Sequence, residues 1–288
     1  MGPTASGKTA LSIELAKRFH GEVISADSRQ IYRGLDIGTE KVSKEEMDGV
    51  PHHLIDIVEP ETVYTAADFK RDAEAAISEI ASRGALPVIA GGTFFYIDAL
   101  IGAASLPEVS PDHEFRRKME LLPTETLVTA LIQIDPVRAT QIDQHNKRRV
   151  IRALEIVKAL GKVPVPQTES EQYDALWIGV SVPKDELRQR IRVRAKRALD
   201  RGLVEETKHL LAHGVSKDRL LAIGLEYPIV IEYLEGNLPE SALPEKLEEK
   251  NWQYAKRQLT WLKRNKRIQW YTRDDSKIIE TVEEFLGS

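Results

Sequence analysis

Short apolar runs alternate with helical patterns in the N-terminal third of the chain. The runs at 22–25, 53–58 and 86–90 have the length of buried strands. Between the last two, Thr65 is a suitable helix N-cap, and apolar residues then recur at helical spacing up to Gly84. Strands that alternate with helices in this way predict an α/β fold with a mainly parallel sheet and helices on both faces.

The middle of the chain has a different pattern. Residues from about 111 to 171 follow a helical pattern, in which Asn146 is a candidate N-cap. The apolar run at 176–182 then indicates that the chain returns to the sheet, and a short strand is predicted at 268–271. The order of these segments predicts a helical insertion within an α/β core.

Residues 2–9 match the pattern G-x-x-x-x-G-K-[ST], which is typical of a loop that binds phosphate groups. Its glycines let the backbone turn so that several N–H groups point at one phosphate, and the following helix adds its positive N-terminal end. Lys8 supplies a charge, and Thr9 offers a hydroxyl to a magnesium ion. The alternative is a glycine-rich turn that only starts a helix. The predicted pyrophosphate site consists of Gly2, Pro3, Thr4, Ala5, Ser6, Gly7, Lys8 and Thr9.

This loop, which we call the P-loop, also defines the fold class. It predicts a P-loop NTPase-like parallel sheet formed by residues 1–109 and 173–288, with a helical insertion domain at 110–172. A buried strand normally precedes such a loop, whereas only Met1 precedes Gly2 in this sequence. Either the chain lacks that strand, or its start is misplaced or truncated. We expect a missing strand to make the sheet less stable, because its neighbours lose hydrogen bonds.

Polar residues follow two of the predicted strands directly. Asp27 comes after the strand at 22–25, and Gly91, Gly92 and Thr93 come after the strand at 86–90. Ligands of doubly wound sheets bind outside the carboxyl ends of the strands, so these residues are expected to face whatever Lys8 binds. A carboxylate there can accept a proton from an attacking nucleophile. A turn or N-cap role for Asp27 is an equally open interpretation. The glycines can form a tight turn and also let the backbone approach a ligand.

The composition restricts the classes of function. The net charge is −4 at pH 7, so a nucleic-acid site has to be a local basic patch. The chain has no cysteine, which excludes a disulfide framework, a thiolate nucleophile and a cysteine zinc site. No apolar run reaches the roughly 18–20 residues of a membrane span, and no leader-like segment precedes the first motif. We expect a cytoplasmic enzyme that works as a monomer and has no membrane partner.

Basic residues concentrate in three parts of the chain, and aromatic residues are interleaved in the third. Basic groups bind phosphates and aromatic rings stack on unpaired bases, which favours an RNA site. A solvated helix face is the alternative. The basic residues are Lys147, Arg148, Arg149 and Arg152, then Arg188, Arg190, Arg192, Arg194, Lys196, Arg197 and Arg201, and finally Lys250, Lys256, Arg257, Lys263, Arg264, Lys266 and Arg267.

Two hypotheses from different classes follow from these residues. One is an enzyme of phosphoryl or pyrophosphate chemistry, such as a small-molecule kinase or a transferase with an RNA acceptor. The other is a P-loop ATPase that binds or remodels RNA. An ATPase is expected to have a strand that ends in an acidic residue for magnesium and water, whereas the strand at 86–90 ends in Gly91 and Gly92. This difference disfavours the ATPase without excluding it.

Several segments of the sequence resemble the tRNA dimethylallyltransferase (tRNA isopentenyltransferase) family, in its bacterial form. The resemblance runs almost from end to end and is far more specific than the P-loop alone. The matching segments are 2–9, 24–39, 50–56, 90–93, 148–155 and 254–261.

The resemblance implies a particular reaction. In this family, dimethylallyl diphosphate donates its five-carbon group to N6 of adenosine 37 in tRNA, and diphosphate leaves with the help of Mg²⁺. The P-loop then holds a leaving group and does not split ATP. An adenine amine is a weak nucleophile, so a carboxylate that takes its proton assists the reaction, and cations that neutralise the diphosphate assist its departure.

The resemblance also implies roles for individual residues. Asp27 would be the general base, with Thr93 and Arg116 at the reacting centre. Lys8, Thr9, the P-loop amides and Arg194 would hold the diphosphate, with Thr9 as the magnesium ligand. The residues implied in tRNA binding are Asp27, Ser28, Arg29, Gln30, Arg148, Arg149, Val150, Ile151 and Arg152, together with Lys256 and Arg257 in the basic segment.

Two departures from the family pattern affect fine substrate choice more than reaction type. The family has Gly-Tyr-Arg/Lys-Glu where this chain continues from Gly224 with Leu225, Glu226 and Tyr227. It has Thr-Arg or Ser-Arg close to the position of Asn251. Both departures lie in the C-terminal part, which the resemblance implies to face tRNA or to support the core.

Overall fold

The computed structural model describes residues 1–104, 106–107, 109–164 and 173–287 of the chain. These residues form two compact units, a core unit of Met1–Ile101 with Tyr173–Ser288, and an insertion unit of Gly102–Gln172. The sequence prediction had the insertion begin at 110, and its last part, 165–172, lies outside the described residues.

The core unit contains parallel strands, as the alternation of strands and helices predicted. Strands β1 (Gly21–Ser25), β2 (His52–His53) and β3 (Leu86–Ala90) form one parallel sheet in the order β2-β1-β3. Strands β4 (Ile178–Val180) and β5 (Gln269–Tyr271) form a second parallel pair. The parallel α/β fold is therefore confirmed, with its strands in two separate sheets among the described residues.

The strand predicted at 53–58 is wrong over most of its length. Strand β2 covers only His52–His53, because Leu54 and Asp56 adopt left-handed backbone with φ of 61° and 55°. A residue in that region turns the chain and cannot continue an extended ladder. Val58 returns to extended pairing through an isolated parallel bridge with Tyr32.

Met1 lies beside strand β4. Its carbonyl accepts a hydrogen bond of 2.7 Å from the Val180 amide, and its own amino group donates to the Ile178 carbonyl. The residues that line a cavity of about 280 Å³ include Met1, strand β3 and residues 176–178. The expected cost in sheet stability stays a prediction.

The helices of the core unit surround these strands. Helix α3 (Ala66–Ser82) begins as predicted, since Thr65 accepts a hydrogen bond from the Asp68 amide in a capping box. No helix in the described ranges is both long and apolar enough to cross a membrane. The helices are α1 (Lys8–Arg18), α2 (Lys44–Met47), α3 (Ala66–Ser82), α4 (Phe94–Leu100), α9 (Lys184–Asp200), α10 (Leu203–Ala212), α11 (Lys217–Ile223), α12 (Glu226–Leu234), a 3₁₀ turn (Glu240–Ala242), α13 (Leu243–Leu262) and α14 (Lys277–Gly287).

The insertion unit is helical, as the pattern predicted. Helix α8 begins at the predicted cap, because the Asn146 side chain accepts a hydrogen bond of 3.2 Å from the Arg149 amide. Leu127, Leu131 and Val150 are almost fully buried in the core of this unit. The helices are α5 (His113–Glu120), α6 (Thr124–Ile134), α7 (Pro136–Gln141) and α8 (Lys147–Leu160).

The substitution Gly91→Ala tests the contact that holds the ends of β1 and β3 together. A Cβ atom at Gly91 would lie 2.1 Å from the Ala26 carbonyl oxygen. Because that atom belongs to the backbone, the strand end has to move, and we expect a loss of about 1–3 kcal/mol in the free energy of unfolding. Urea denaturation followed by circular dichroism measures it. The control is Gly287→Ala, where the added atom meets nothing within 4 Å; equal midpoints for the two variants would contradict the prediction.

Candidate active site

The P-loop turns sharply from Met1 into helix α1. Gly7 has φ of 92°, a conformation that glycine adopts without strain, and Ser6 donates a hydrogen bond of 3.2 Å to the Pro3 carbonyl. A Cβ atom at Gly2 would lie 2.5 Å from Ser6 Oγ and 3.2 Å from the Val180 carbonyl oxygen, so the Ser6 side chain would have to move for a larger residue. The curled backbone and the helix N-terminus together form a geometry that suits an anion.

Lys8 is the cation at the base of this loop. Burial lowers its pKa to about 8; the negative charge of Asp27 opposes this shift, and the positive charge of Arg194 adds to it. A bound anion would favour the charged form of Lys8 and raise that pKa again. The electrostatic state of Lys8 is therefore tied to what the loop binds.

Helix α9 places two arginines against the P-loop. Arg194 donates a hydrogen bond of 2.7 Å to Thr4 Oγ1, and its Nε lies 3.6 Å from a carboxylate oxygen of Glu40. Arg190 donates to the carbonyls of Ala5 and Ser6 at 3.5 Å and 3.4 Å. The resemblance assigned only Arg194 to the diphosphate; the helical spacing of four residues was the signal that Arg190 shares its face.

Asp27 and Thr93 lie at the ends of neighbouring strands, as the topology predicted. The Thr93 amide donates a hydrogen bond of 3.0 Å to the Ala26 carbonyl. The Thr93 hydroxyl accepts a hydrogen bond of 2.9 Å from the Ser28 amide. Asp27 Oδ1 accepts a hydrogen bond of 3.0 Å from the Arg29 amide. Among the described residues, no hydrogen bond reaches Asp27 Oδ2, so the turn role uses one oxygen and leaves the other for chemistry.

Part of the predicted site lines one cleft of the core unit, with a volume of about 70 Å³, to which Asp27 contributes and Thr93 does not. It brings P-loop residues together with Asp27 and adds a second carboxylate, that of Glu40. Positive and negative groups thus face the same small space. The predicted site residues among its lining are Thr4, Lys8, Thr9, Asp27, Arg29, Gln30 and Arg194.

Arg29 uses its guanidinium inside the protein. It forms an ion pair of 2.5 Å with Glu226, and the two side chains are only 12% and 5% exposed. It also donates to the Gly38 carbonyl at 2.5 Å. Glu226 is one of the residues that depart from the family pattern, and Leu225 before it has φ of 54°, a strained conformation for leucine. The structure thus gives Arg29 a partner that the sequence did not indicate.

Gln258 and Tyr254 of α13 were not assigned individual roles by the sequence. Gln258 Oε1 accepts a hydrogen bond of 2.7 Å from the Thr4 amide, and Gln258 Nε2 donates one of 3.0 Å to the Gly92 carbonyl. The Tyr254 hydroxyl donates a hydrogen bond of 3.3 Å to the same carbonyl. The available signal was a polar residue on the apolar stripe of a helix, since Gln258 follows Leu247, Asn251 and Ala255 at helical spacing.

The basic segments differ in how their charges are used. Lys256 and Arg257 are exposed, and Arg257 lies over the Tyr254 ring at 5.7 Å; neither forms an ion pair with another described residue. Arg188 and Arg192 instead pair with Glu248, which is 12% exposed. Part of the charge of α9 therefore joins two helices and does not form an open surface.

In the insertion unit, the buried carboxylate of Glu155 is hydrogen-bonded to two predicted site residues, Arg116 and Arg152. Glu155 accepts two hydrogen bonds from Arg116, at 2.8 Å and 2.7 Å, and another from Arg152. These arginines outweigh the effect of burial and keep the pKa of Glu155 below its ordinary value.

The neighbouring residues of α8 divide between surface and core. Arg148 and Arg149 are exposed. Val150 and Ile151 are 0% and 2% exposed in the core of the insertion unit. Their side chains serve packing, so the predicted contact of this stretch with tRNA falls to the exposed arginines.

The donors near Thr9 fit a magnesium ion only together with a phosphate ligand. No cluster of three or more acidic, histidine or cysteine side chains suited to a metal occurs in the described part of the chain. Thr9 is exposed, and Asp27 and Glu40 line the same cleft. Mg²⁺ often binds through one or two protein oxygens plus substrate phosphates and water, which matches this donor set.

Known proteins match both the sequence and the fold. The family model of IPP transferases matches residues 30–265. A tRNA dimethylallyltransferase of Thermomicrobium roseum is 45% identical over 94% of this chain and 84% of its own length.

Two solved structures are similar over nearly the whole chain. The full-length tRNA isopentenylpyrophosphate transferase of Bacillus halodurans is 39% identical and has a TM-score of 0.73, covering 99% of this chain and 93% of its own. A eukaryotic dimethylallyltransferase acting on tRNA is 27% identical and has a TM-score of 0.81, covering 95% and 73%. The chain therefore belongs to the IPP transferase family.

Proposed function

We propose that this protein transfers a dimethylallyl group from dimethylallyl diphosphate to N6 of adenosine 37 in tRNA. The observation that carries the proposal is the shared cleft in which a P-loop, with Lys8 and Arg194, faces the carboxylate of Asp27. A diphosphate site and a proton acceptor on two sides of one space suit the displacement of diphosphate by an amine. The names of the relatives support tRNA as the acceptor and dimethylallyl as the transferred group. The diphosphate donor and N6 of adenosine 37 are what the family resemblance implies.

The donor end of the reaction uses the P-loop. Its amides and the charges of Lys8 and Arg194 hold the diphosphate and stabilise the negative charge that develops as it leaves. Mg²⁺, when bound through Thr9 and diphosphate oxygens, would neutralise further charge on the leaving group. Arg190 supports the loop by donating hydrogen bonds to the Ala5 and Ser6 carbonyls.

The acceptor end uses Asp27. A bond forms between N6 of the adenine and the first carbon of the dimethylallyl group, while the bond from that carbon to the diphosphate oxygen breaks. The proton of N6 moves to the Asp27 carboxylate, whose Oδ2 is free of hydrogen bonds from the described residues. Thr93 holds the Ser28 amide beside Asp27 and so fixes the direction of the carboxylate.

Exposed arginine and lysine side chains are proposed to bind the tRNA. The acceptor base has to leave its stack to enter a cleft, and the unpaired anticodon loop makes this step inexpensive. Arg148 and Arg149 of the insertion unit, and Lys256 and Arg257 of α13, are exposed and can meet phosphates. A role for Arg116 at the reacting centre stays a prediction that the resemblance implies.

A product assay tests the reaction itself. The protein is incubated with unmodified tRNA, dimethylallyl diphosphate and Mg²⁺, and the digested nucleosides are weighed by mass spectrometry. We expect an adenosine that is heavier by one dimethylallyl group, located on the 3′ side of the anticodon. Phosphate release from ATP without a modified nucleoside would favour the kinase or ATPase hypothesis.

The substitution Asp27→Asn tests the general base. The amide keeps an oxygen that accepts from the Arg29 amide but cannot accept the N6 proton, so the single-turnover rate should fall by roughly 10²–10⁴-fold. Binding of tRNA should change little. Asp274→Asn is the control, because that side chain is 93% exposed. A normal rate in Asp27→Asn would remove Asp27 from this role.

Neutralising Lys256 and Arg257 to glutamine tests the RNA surface on α13. For each phosphate that the protein no longer neutralises, the slope of log affinity against log salt should become shallower by about 0.7–0.9. Binding of tRNA at several salt concentrations measures that slope. The charge-matched control is the pair Lys208→Gln and Lys246→Gln, two exposed lysines that lie near acidic residues on their own helices. An unchanged slope would indicate that Lys256 and Arg257 form only a solvated face.

A further inference from the structure

We infer that Gln258 is a positioning residue that couples the leaving-group site to the general base. This role rests on the proposed function, because it concerns the spacing between the diphosphate and the acceptor amine. The two loops that have to be spaced are the P-loop and the segment at 91–93, and Gln258 is hydrogen-bonded to both of them.

The geometry of Gln258 is that of a built-in bridge. The residue is 4% exposed, and both ends of its amide are used. Its amide oxygen accepts a hydrogen bond of 2.7 Å from the Thr4 amide, and its amide nitrogen donates one of 3.0 Å to the Gly92 carbonyl. Among the described residues, no direct hydrogen bond joins the P-loop to Gly91, Gly92 or Thr93. The buried amide is therefore the polar link between the loops.

The link continues from Gly92 to the base. Thr93 follows Gly92 directly, and its hydroxyl is hydrogen-bonded to the amide and the hydroxyl of Ser28. Ser28 is the neighbour of Asp27 in sequence. A shift of Gly92 relative to Thr4 thus changes the position of Asp27 relative to the diphosphate. A misplacement of about 1 Å between reacting groups can cost roughly 10²-fold in rate.

The bridge requires an acceptor on one end and a donor on the other. Glutamine supplies both in a neutral side chain. A protonated carboxylic acid of the same shape also supplies both, whereas an ionised carboxylate would place a negative oxygen against the Gly92 carbonyl. The substitution Gln258→Glu therefore creates a bridge that exists only when the new acid is protonated.

This property gives a pH profile as the test. Burial raises the pKa of a carboxylic acid, so the introduced acid should titrate above its ordinary value of about 4.3. Below that pKa the acid donates to Gly92, and the single-turnover rate should lie within a few-fold of the wild-type rate. Above it, the rate relative to wild type should fall by roughly 10²-fold. The charged and titratable side chains of this cleft are the same in both proteins, so the ratio of the two rates isolates the introduced acid. They are Lys8, Asp27, Arg29, Glu40, His52, Arg194 and Tyr254.

Gln253→Glu is the matched control. It makes the same chemical change on the same helix at an exposed position, so its rate relative to wild type should not depend on pH. A second variant, Gln258→Met, removes both hydrogen bonds while keeping a side chain of similar size. For it we expect a lower chemical rate at saturating substrates, with an unchanged Kd for tRNA.

Several results would overturn the inference. A ratio for Gln258→Glu that is flat with pH, whether near one or uniformly low, would show that the bridge does not act on the reaction. A weaker Kd for tRNA in Gln258→Met without a change in the chemical rate would do the same. If Gln258→Glu does not fold, shown by the loss of its circular dichroism, Gln258→Met decides alone.

Failure of the proposed function has a separate signature. If the wild-type protein forms no dimethylallylated adenosine, the proposed reaction is wrong. The bridge is then tested by calorimetric binding of inorganic diphosphate, because the Thr4 amide belongs to the P-loop. The affinity of Gln258→Glu relative to wild type should fall as pH rises through the pKa of the introduced acid. A constant ratio, or no binding by the wild-type protein, would overturn the coupling as well.

Discussion

The site depends on the close approach of two parallel strand ends. β1 and β3 pair residue by residue, and beyond their last pair the Gly91 backbone lies against the Ala26 carbonyl, where no Cβ atom fits. This contact brings Asp27 and Thr93 to the same edge and lets the Thr93 amide bond to Ala26. The P-loop lines the same edge through helix α1. One backbone contact therefore determines where the proposed general base and the proposed phosphate site meet.

The cleft contains opposed charges before any substrate binds. Lys8 has a pKa lowered to about 8 by burial and is partly balanced by Asp27, while Arg194 lies between Thr4 and Glu40. These pairings keep buried charges from being isolated, which would be costly. A diphosphate would give both cations a stronger partner and would leave the Asp27 carboxylate as the nearby proton acceptor. In the proposed reaction, substrate binding and base activation would thus both follow from one charge balance.

The sequence predicts the parts of the site that local rules and topology control. Asp27, Thr93 and the P-loop are found where strand order and loop pattern place them. The prediction of a strand at 53–58 is wrong, because a left-handed backbone conformation at a residue other than glycine, such as Leu54, cannot be recognised from the sequence. Gln258 and Glu226 escape prediction for another reason, since their partners Thr4 and Arg29 lie far away in the sequence. Only folding brings such pairs together, so a single sequence contains no trace of the pairing.

The count of basic residues also overstates the surface available to RNA. Arg29, Arg116 and Arg152 are each bound to a buried glutamate, and Arg188 and Arg192 to the nearly buried Glu248. An arginine held this way is fixed in direction, and moving it would leave a buried carboxylate unpaired. Such residues can shape a site but cannot follow a flexible phosphate backbone. The proposed adaptable contacts with tRNA fall to exposed cations without acidic partners among the described residues. Glu226 belongs to the rigid part, where it pairs with Arg29, two residues after Asp27.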